Sequence, residues 1–137
     1  MNEIKIRLAA AADIAIIYGH DKHISVDAIK EKIKSGEIFV VYDDAIFAGW
    51  LRYNLFWDSI PFMNMLFLLP EYRGRGIGKR LVEFWENSMK EQGHKKVLTS
   101  TPQNENAQYF YTALGYAVTG GFTLSGDPYE IIFEKSL

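Results

Sequence analysis

The 137-residue sequence contains no cysteine. That excludes a cysteine nucleophile, a thiolate zinc site, an iron–sulfur cluster and a disulfide framework. A reducing cytoplasm is the compartment expected of such a chain. Only 4 residues are proline, and no Pro/Ser-rich linker, internal repeat or low-complexity tract interrupts the sequence. Long apolar runs are missing too: residues 65–70 form the longest, far short of the roughly 20 that a membrane span needs. Residues 1–8 alternate charged and apolar side chains, which is not a signal-peptide pattern. Neither sign of charge dominates, with 15 Lys and Arg against 17 Asp and Glu. A nucleic-acid or membrane partner is therefore not expected, nor is a bound metal.

Hydrophobic residues make up 48% of the chain and aromatic ones 15%, enough for a substantial core without covalent staples. One domain over residues 1–137 is expected. Ile4, Ile6 and Leu8 alternate with Lys5 and Arg7, the pattern of a half-buried strand. A helix is expected over 9–18, and a second after Ser25, with Ile29 and Ile33 on its inner side and Gly36 at its end. Residues 38–42 and 46–57 read as a hairpin around Asp43-Asp44. After a turn at 58–61, residues 62–69 are almost wholly apolar, as for a strand covered on both faces.

Pro70 ends that strand, and a glycine-rich segment opens a long helix. Ile77, Leu81, Phe84, Trp85, Ser88 and Met89 form its expected inner stripe, with Gly93 as its left-handed terminator. A strand over 97–101 follows. Asn104 then caps a helix bearing Ala107, Phe110, Tyr111 and Leu114 on one side, closed by Gly115. Residues 117–124 and 129–134 form a last hairpin around Ser125-Gly126-Asp127-Pro128. Helical crossovers and hairpins together imply an α/β domain with a mixed sheet.

The segment Leu68-Leu69-Pro70-Glu71-Tyr72-Arg73-Gly74-Arg75-Gly76-Ile77-Gly78-Lys79-Arg80 carries the most chemistry. A glycine loop between strand and helix aims backbone N–H groups at one spot, with the helix dipole behind them. Arg73, Arg75, Lys79 and Arg80 stand at the helix start, where cations oppose that dipole by up to about 1 kcal/mol each. The arrangement suits a polyanion. The spacing fails the dinucleotide motif, because Lys79 takes the place of its third glycine. It also fails the Walker motif, with Arg73 and Arg80 in the places of Gly and Ser/Thr.

Arg73-x-x-Gly76-x-Gly78 resembles the pyrophosphate-binding motif of the GNAT superfamily of acyl-CoA N-acyltransferases. The likeness extends to the strand ending in Leu68-Leu69-Pro70, and to Asn104, Ala107, Phe110, Tyr111, Gly115 and Tyr116 on the next helix. It covers the whole chain. The resemblance implies a single GNAT-like α/β fold: a mixed, mostly antiparallel sheet of about six to seven strands with flanking helices. The sheet would be splayed between its fourth and fifth strands. It implies acetyl-CoA as co-substrate. The pyrophosphate would lie on Arg73, Gly74, Arg75, Gly76, Gly78 and Lys79, and the pantetheine arm along Phe67 and Leu68, with Asn104 and Phe110 beside it. The N–H of Leu68 would hold the developing oxyanion. Tyr111 would protonate the departing thiolate, an exchange open to a phenol of pKa about 10. Asn104 serves equally as a bare helix cap.

Without cysteine, the acyl group has no thiol to rest on, so direct attack by the amine is favoured over a covalent relay. The sequence departs from many relatives on the fourth strand, where Asn64 can orient water but no carboxylate can take a proton. Candidate bases or relays are His20, His23, Asp58, Asp127 and Glu130. The expected function is acetyl transfer to a primary amine: a small amine, an amino acid or a peptide. A non-catalytic acyl-CoA-binding or sensor domain is the alternative. A nucleotide-phosphate-binding domain of another class would leave the 104–116 motif unexplained. Monomer and homodimer are both open.

Overall fold

The structure is a computed structural model that describes residues 3–137. Its elements run β1 (Ile4–Leu8), α1 (Ile14–His20), α2 (Val26–Lys34), β2 (Ile38–Asp43), β3 (Ile46–Phe56), β4 (Ile60–Leu68), α3 (Ile77–Glu91), β5 (Lys96–Pro102), α4 (Ala107–Ala113), β6 (Ala117–Phe122) and β7 (Glu130–Ser136). The seven strands form one sheet in the order β1-β2-β3-β4-β5-β7-β6. β4 and β5 run parallel, paired at Phe62–Leu98 and Met63–Thr99. The β1–β2, β2–β3, β5–β7 and β6–β7 pairs are antiparallel. The chain divides into two compact units, Met1–Tyr53 with Met65–Trp85, and Asn54–Asn64 with Glu86–Leu137.

In the first unit, β2 is the strand covered on both faces. Ile38 and Val40 pack with Ile17, Ile29, Phe47 and Trp50 on one side. Phe39 meets Tyr53 and Phe84 on the other. The expected helix over 9–18 begins later. Residues Ala11–Asp13 form a 3-10 turn instead. The Asp13 carboxylate fixes this start by accepting from Arg7 Nη1 at 2.8 Å, Tyr42 Oη at 2.7 Å and the Ala10 N–H at 2.7 Å. Ser25 does cap α2, accepting from the Ala28 N–H at 3.1 Å. Asp21 ties the following loop to β3: its buried carboxylate accepts from Arg52 Nε at 2.8 Å, Trp50 Nε1 at 3.1 Å and the His23 N–H at 3.1 Å.

Two expectations fail here. Residues 62–69 are not covered on both faces, since Asn64 is exposed and Phe67 retains 36% of its accessible surface. On α3, Ile77, Leu81, Trp85 and Met89 are buried as expected, but Phe84 is 43% exposed, while Val82 and Glu86 are buried. Glu86 is held inside by chemistry that periodicity cannot register. Its carboxylate accepts from Tyr116 Oη at 2.7 Å and Lys135 Nζ at 3.0 Å.

In the second unit, α4 lies over one face of β5 and β7, with the Tyr111 ring 6.0 Å from Phe133 and 5.8 Å from Tyr116. Gly115 ends α4 with φ of 95°, and Gly93 follows α3 with φ of 93°. Asn104 does not cap α4. Asn106 holds that position and its side chain makes no capping bond. The helix starts two residues beyond the site its motif suggests. Gln108 Nε2 steadies the turn instead, donating to the carbonyls of Gln103 at 2.8 Å and Glu105 at 3.0 Å.

Candidate active site

In the first unit, β4 runs out at Leu68 and the chain makes a 3-10 turn over Pro70–Tyr72. Tyr72 Oη donates to Asp43 Oδ2 at 2.9 Å and anchors the turn. Gly74 and Gly76 then take left-handed φ values of 72° and 78°. Side-chain-bearing residues rarely adopt that conformation. Gly78 is different, lying in the first turn of α3 with helical backbone. A Cβ on Gly74 or Gly76 would meet nothing within 4 Å, so open space lies over the loop.

The four cations divide into two kinds. Arg73 folds back, donating from Nε to the Leu68 carbonyl at 2.9 Å, with its guanidinium 4.9 Å from the Phe67 ring centroid. Arg75 donates to the Glu71 carbonyl at 3.3 Å and lies over Tyr72. These two arginines brace the loop. Lys79 and Arg80 extend exposed from the first turn of α3, which holds no acidic residue. The loop therefore concentrates positive potential at a helix N-terminus, with backbone glycines free of Cβ atoms.

Two glycines that the sequence reading did not single out shape the surroundings. A Cβ on Gly49 of β3 would overlap the Phe67 carbonyl oxygen and crowd Leu68. Only glycine lets β3 approach the end of β4 this closely. A Cβ on Gly121 of β6 would overlap the Tyr129 hydroxyl and the Glu130 carbonyl. Each is a glycine inside a strand pattern, a signal of close backbone approach.

In the second unit, Tyr111 is 6% exposed on α4, among Phe110, Tyr116 and Phe133. Burial pushes its phenol pKa upward and outweighs a hydrogen bond with Thr99 that pulls the other way, while the Glu105 charge adds to the rise. The hydroxyl holds its proton at neutral pH, as a free phenol does. Thr99 is itself fixed, donating from Oγ1 to the Met63 carbonyl at 3.0 Å. Thr99 was not among the sequence candidates, because a threonine inside a strand gives no local sign of such a role. Tyr109 is 68% exposed. Phe110 is half-buried, and Asn104 lies exposed in the turn before α4. Asn64 is exposed and follows buried Met63, so by strand alternation it projects from the opposite face of β4.

Of the candidate bases, Asp127 and Glu130 come together, lining a cavity of about 300 Å³ with Ser100, Phe122, Leu124 and Pro128. His20 is exposed, its ring stacked 5.5 Å from Phe47. His23 is exposed beside Asp21. Asp58 sits at the tip of the β3–β4 connection and does not line that cavity.

Residues 10–116 match the acetyltransferase (GNAT) family. The chain belongs to that family. It is thus an acetyl-CoA-dependent N-acyltransferase, and the matched span includes the loop before α3. No curated protein matches the sequence. Among solved structures, a GNAT acetyltransferase from Bacillus cereus is 24% identical with a TM-score of 0.79, covering 98% of this chain and 97% of its own. The ribosomal-protein-S18-alanine N-acetyltransferase of Escherichia coli superposes with a TM-score of 0.81 at 16% identity, covering 98% and 94%. The PaiA N-acetyltransferase of Thermoplasma acidophilum, solved with coenzyme A, gives 0.73 at 20%, covering 98% and 99%. These likenesses establish the GNAT fold, with its parallel β4–β5 pair and mostly antiparallel seven-stranded sheet.

Proposed function

We propose that this GNAT domain, spanning residues 1–137, moves an acetyl group directly from acetyl-CoA to a primary amine in the cytoplasm. The observation that carries the reading is the loop before α3, where two left-handed glycines, open space and exposed Lys79 and Arg80 meet at one helix start. Those features fit a pyrophosphate. The backbone N–H groups from Arg73 to Gly78, with Lys79, would bind it, while Arg73 and Arg75 keep the loop in shape. Phe67 and Leu68 lie on the partly exposed end of β4, which supports a role in pairing with an extended pantetheine arm.

Acetyl-CoA supplies the activated thioester. The Leu68 N–H polarises the acyl carbonyl, and Tyr111 gives its phenolic proton to the departing sulfur. Tyr111 carries its proton at neutral pH, as a free phenol does, so it has one to give; its raised pKa makes it a weaker acid, and the acid role rests on its place in the motif. On the acceptor side, Asp127 and Glu130 around one apolar-walled cavity favour a cationic amine. They are also the best placed to draw off its proton, while Asn64 orients water. Asn104 and Phe110 contact the cofactor arm; the exposed, uncapping Asn104 side chain supports this.

The absence of a carboxylate at Asn64 favours one second reading, an acyl-CoA-binding domain without turnover. Thiol release from acetyl-CoA across a panel of polyamines, amino acids and peptides separates the two. Amine-dependent release supports transfer. Tight acetyl-CoA binding with no release across the whole panel supports the binding domain.

A further inference from the structure

We propose that Thr99 is a positioning residue for the acid step: its hydroxyl, fixed where β4 and β5 part, steadies the Tyr111 hydroxyl and turns its own proton onto it as the phenol proton leaves. The inference rests on Tyr111 as the acid, as proposed above. Every residue it uses lies in the second unit. The pairing of β4 with β5 covers Phe62–Leu98 and Met63–Thr99, although β5 runs on to Pro102 along β7. Thr99 therefore stands at the last rung. Its Oγ1 donates to the Met63 carbonyl at 3.0 Å. Directly opposite on β7 is Phe133, and opposed residues share a face of the sheet. The Tyr111 ring lies 6.0 Å from Phe133 on that face, and its hydroxyl is in hydrogen bond with Thr99.

Thr99 is 1% exposed and Tyr111 6%. A buried hydroxyl costs stability unless its bonds are made, and valine or isoleucine fills such a strand position without that cost. What threonine adds is a single movable proton and two lone pairs. In the resting protein the proton goes to Met63, and a lone pair is left to accept from Tyr111. Once the phenol has lost its proton, the same Oγ1–H can swing to the phenolate oxygen. A hydrogen bond given to the charged form favours that form. Burial and the Glu105 charge both oppose it, and Thr99 works against both. Tyr116 shows what a different partner does. Its ring lies 5.8 Å from that of Tyr111, but its Oη donates to the Glu86 carboxylate at 2.7 Å. Glu86 also accepts from Lys135 Nζ at 3.0 Å, and a carboxylate in an ion pair only accepts. Burial and Glu86 together push the Tyr116 pKa far up. Of the two neighbouring phenols, Tyr111 is the one that faces a group able to donate back.

The step balances without a further reactant. The Tyr111 O–H bond breaks and an S–H bond forms on the departing thiolate, while the acyl carbon exchanges its C–S bond for a C–N bond to the amine. The proton that the amine sheds restores the phenol, and the Thr99 hydroxyl turns back to Met63.

Carbon-13 labelling of the tyrosines at Cζ tests the contact in the full chain. The Tyr111 signal, assigned by its loss in Tyr111→Phe, is followed through an alkaline titration. Thr99→Val keeps the shape and removes the hydroxyl, so it should raise the Tyr111 midpoint by about one pH unit. Single-turnover transfer, read with whichever amine of the panel above reacts fastest, should fall about tenfold, the low end of what one hydrogen bond to a charged group contributes. Thr99→Ser should restore both. In the Tyr111→Phe background, Thr99→Val should slow transfer no further. A second tenfold loss there would show that Thr99 only packs, and it overturns the proposal. An unmoved Tyr111 signal in Thr99→Val overturns it as well. Tyr111→Phe alone judges the acid reading. An unaltered rate removes Tyr111 as the acid and this proposal with it, whereas a slow Tyr111→Phe beside an inert Thr99→Val removes Thr99 only.

Discussion

Tyr111 is buried on α4, which raises its phenol pKa further, and the same burial makes the residue testable. Tyr111→Phe keeps the ring against Phe133 and Tyr116 and removes only the hydroxyl that faces Thr99. Fold and acetyl-CoA affinity should change little. Single-turnover transfer should fall by roughly 10²–10⁴-fold, the usual worth of general-acid help. An unaltered single-turnover rate would assign the acid to water or to another group. The motif spacing names Tyr111 from sequence alone, but it gives no sign of Thr99, which reaches the site only through the β4–β5 pairing. Asn104 shows the opposite failure. Its sequence position suits a cap, yet Asn106 takes that place.

Asp21 yields a pH dependence at the same scale. Burial alone would raise its pKa, but the Arg52 hydrogen bond and the His23 and Trp50 N–H groups outweigh burial and hold it below the usual carboxylate value. A depressed native pKa adds stability that is fully present above the unfolded value near 3.9. That stability is lost as pH falls through the native value. Asp21→Asn leaves Arg52 buried without its counter-ion, which should cost about 3–5 kcal/mol at neutral pH. The deficit should shrink as pH falls below about 4 toward the lowered native value, because there the unfolded carboxyl takes up a proton that the folded one still refuses. Urea melts at pH 7 and pH 3 read the difference. An equal deficit at both would show that Asp21 acts through shape and not charge.

At the scale of elements, the loop before α3 separates folding from binding in a way that individual glycines reveal. Gly76 has φ of 78°, so any side chain there strains the loop itself. Gly78 is helical, and alanine is the better helix former by up to about 1 kcal/mol. Gly78→Ala should therefore hold or raise the melting temperature of the free protein. If the backbone here meets a pyrophosphate, the added methyl should weaken acetyl-CoA binding about tenfold, or 1.4 kcal/mol. Calorimetric titration beside thermal melts distinguishes the two effects, and unchanged affinity would reduce this end of the loop to a helix start. The glycine pattern, the α2 cap and both hairpins are local features, so sequence periodicity and turn chemistry expose them. Which strand is covered on both faces is not local. An apolar run predicts it for residues 62–69, whereas β2 holds that place because α1, α2 and α3 pack against it.

At the scale of the whole molecule, what the sequence hides is mostly a matter of faces. The division into two compact units and the buried Glu86 both depend on contacts between residues far apart in the chain. The anion-binding character, in contrast, follows from composition concentrated in one segment of a chain whose net charge is only −2. That contrast sets the last expectation. A ligand that binds only the folded state stabilises the whole molecule by about 2.7 kcal/mol at 100 times its dissociation constant. Acetyl-CoA and coenzyme A should both raise the melting temperature. NAD and ATP should do so much less, because Lys79 occupies the dinucleotide glycine position and Arg80 the Walker hydroxyl position. The cations that remain exposed, Lys79 and Arg80, make part of the affinity electrostatic, so the coenzyme A shift should shrink as salt rises past 0.15 M, where the screening length is about 8 Å. Thermal shifts for the four ligands at low and high salt give the outcome. A larger shift with NAD than with acetyl-CoA would mean that the loop holds a different phosphate ligand, whatever family the surrounding fold belongs to.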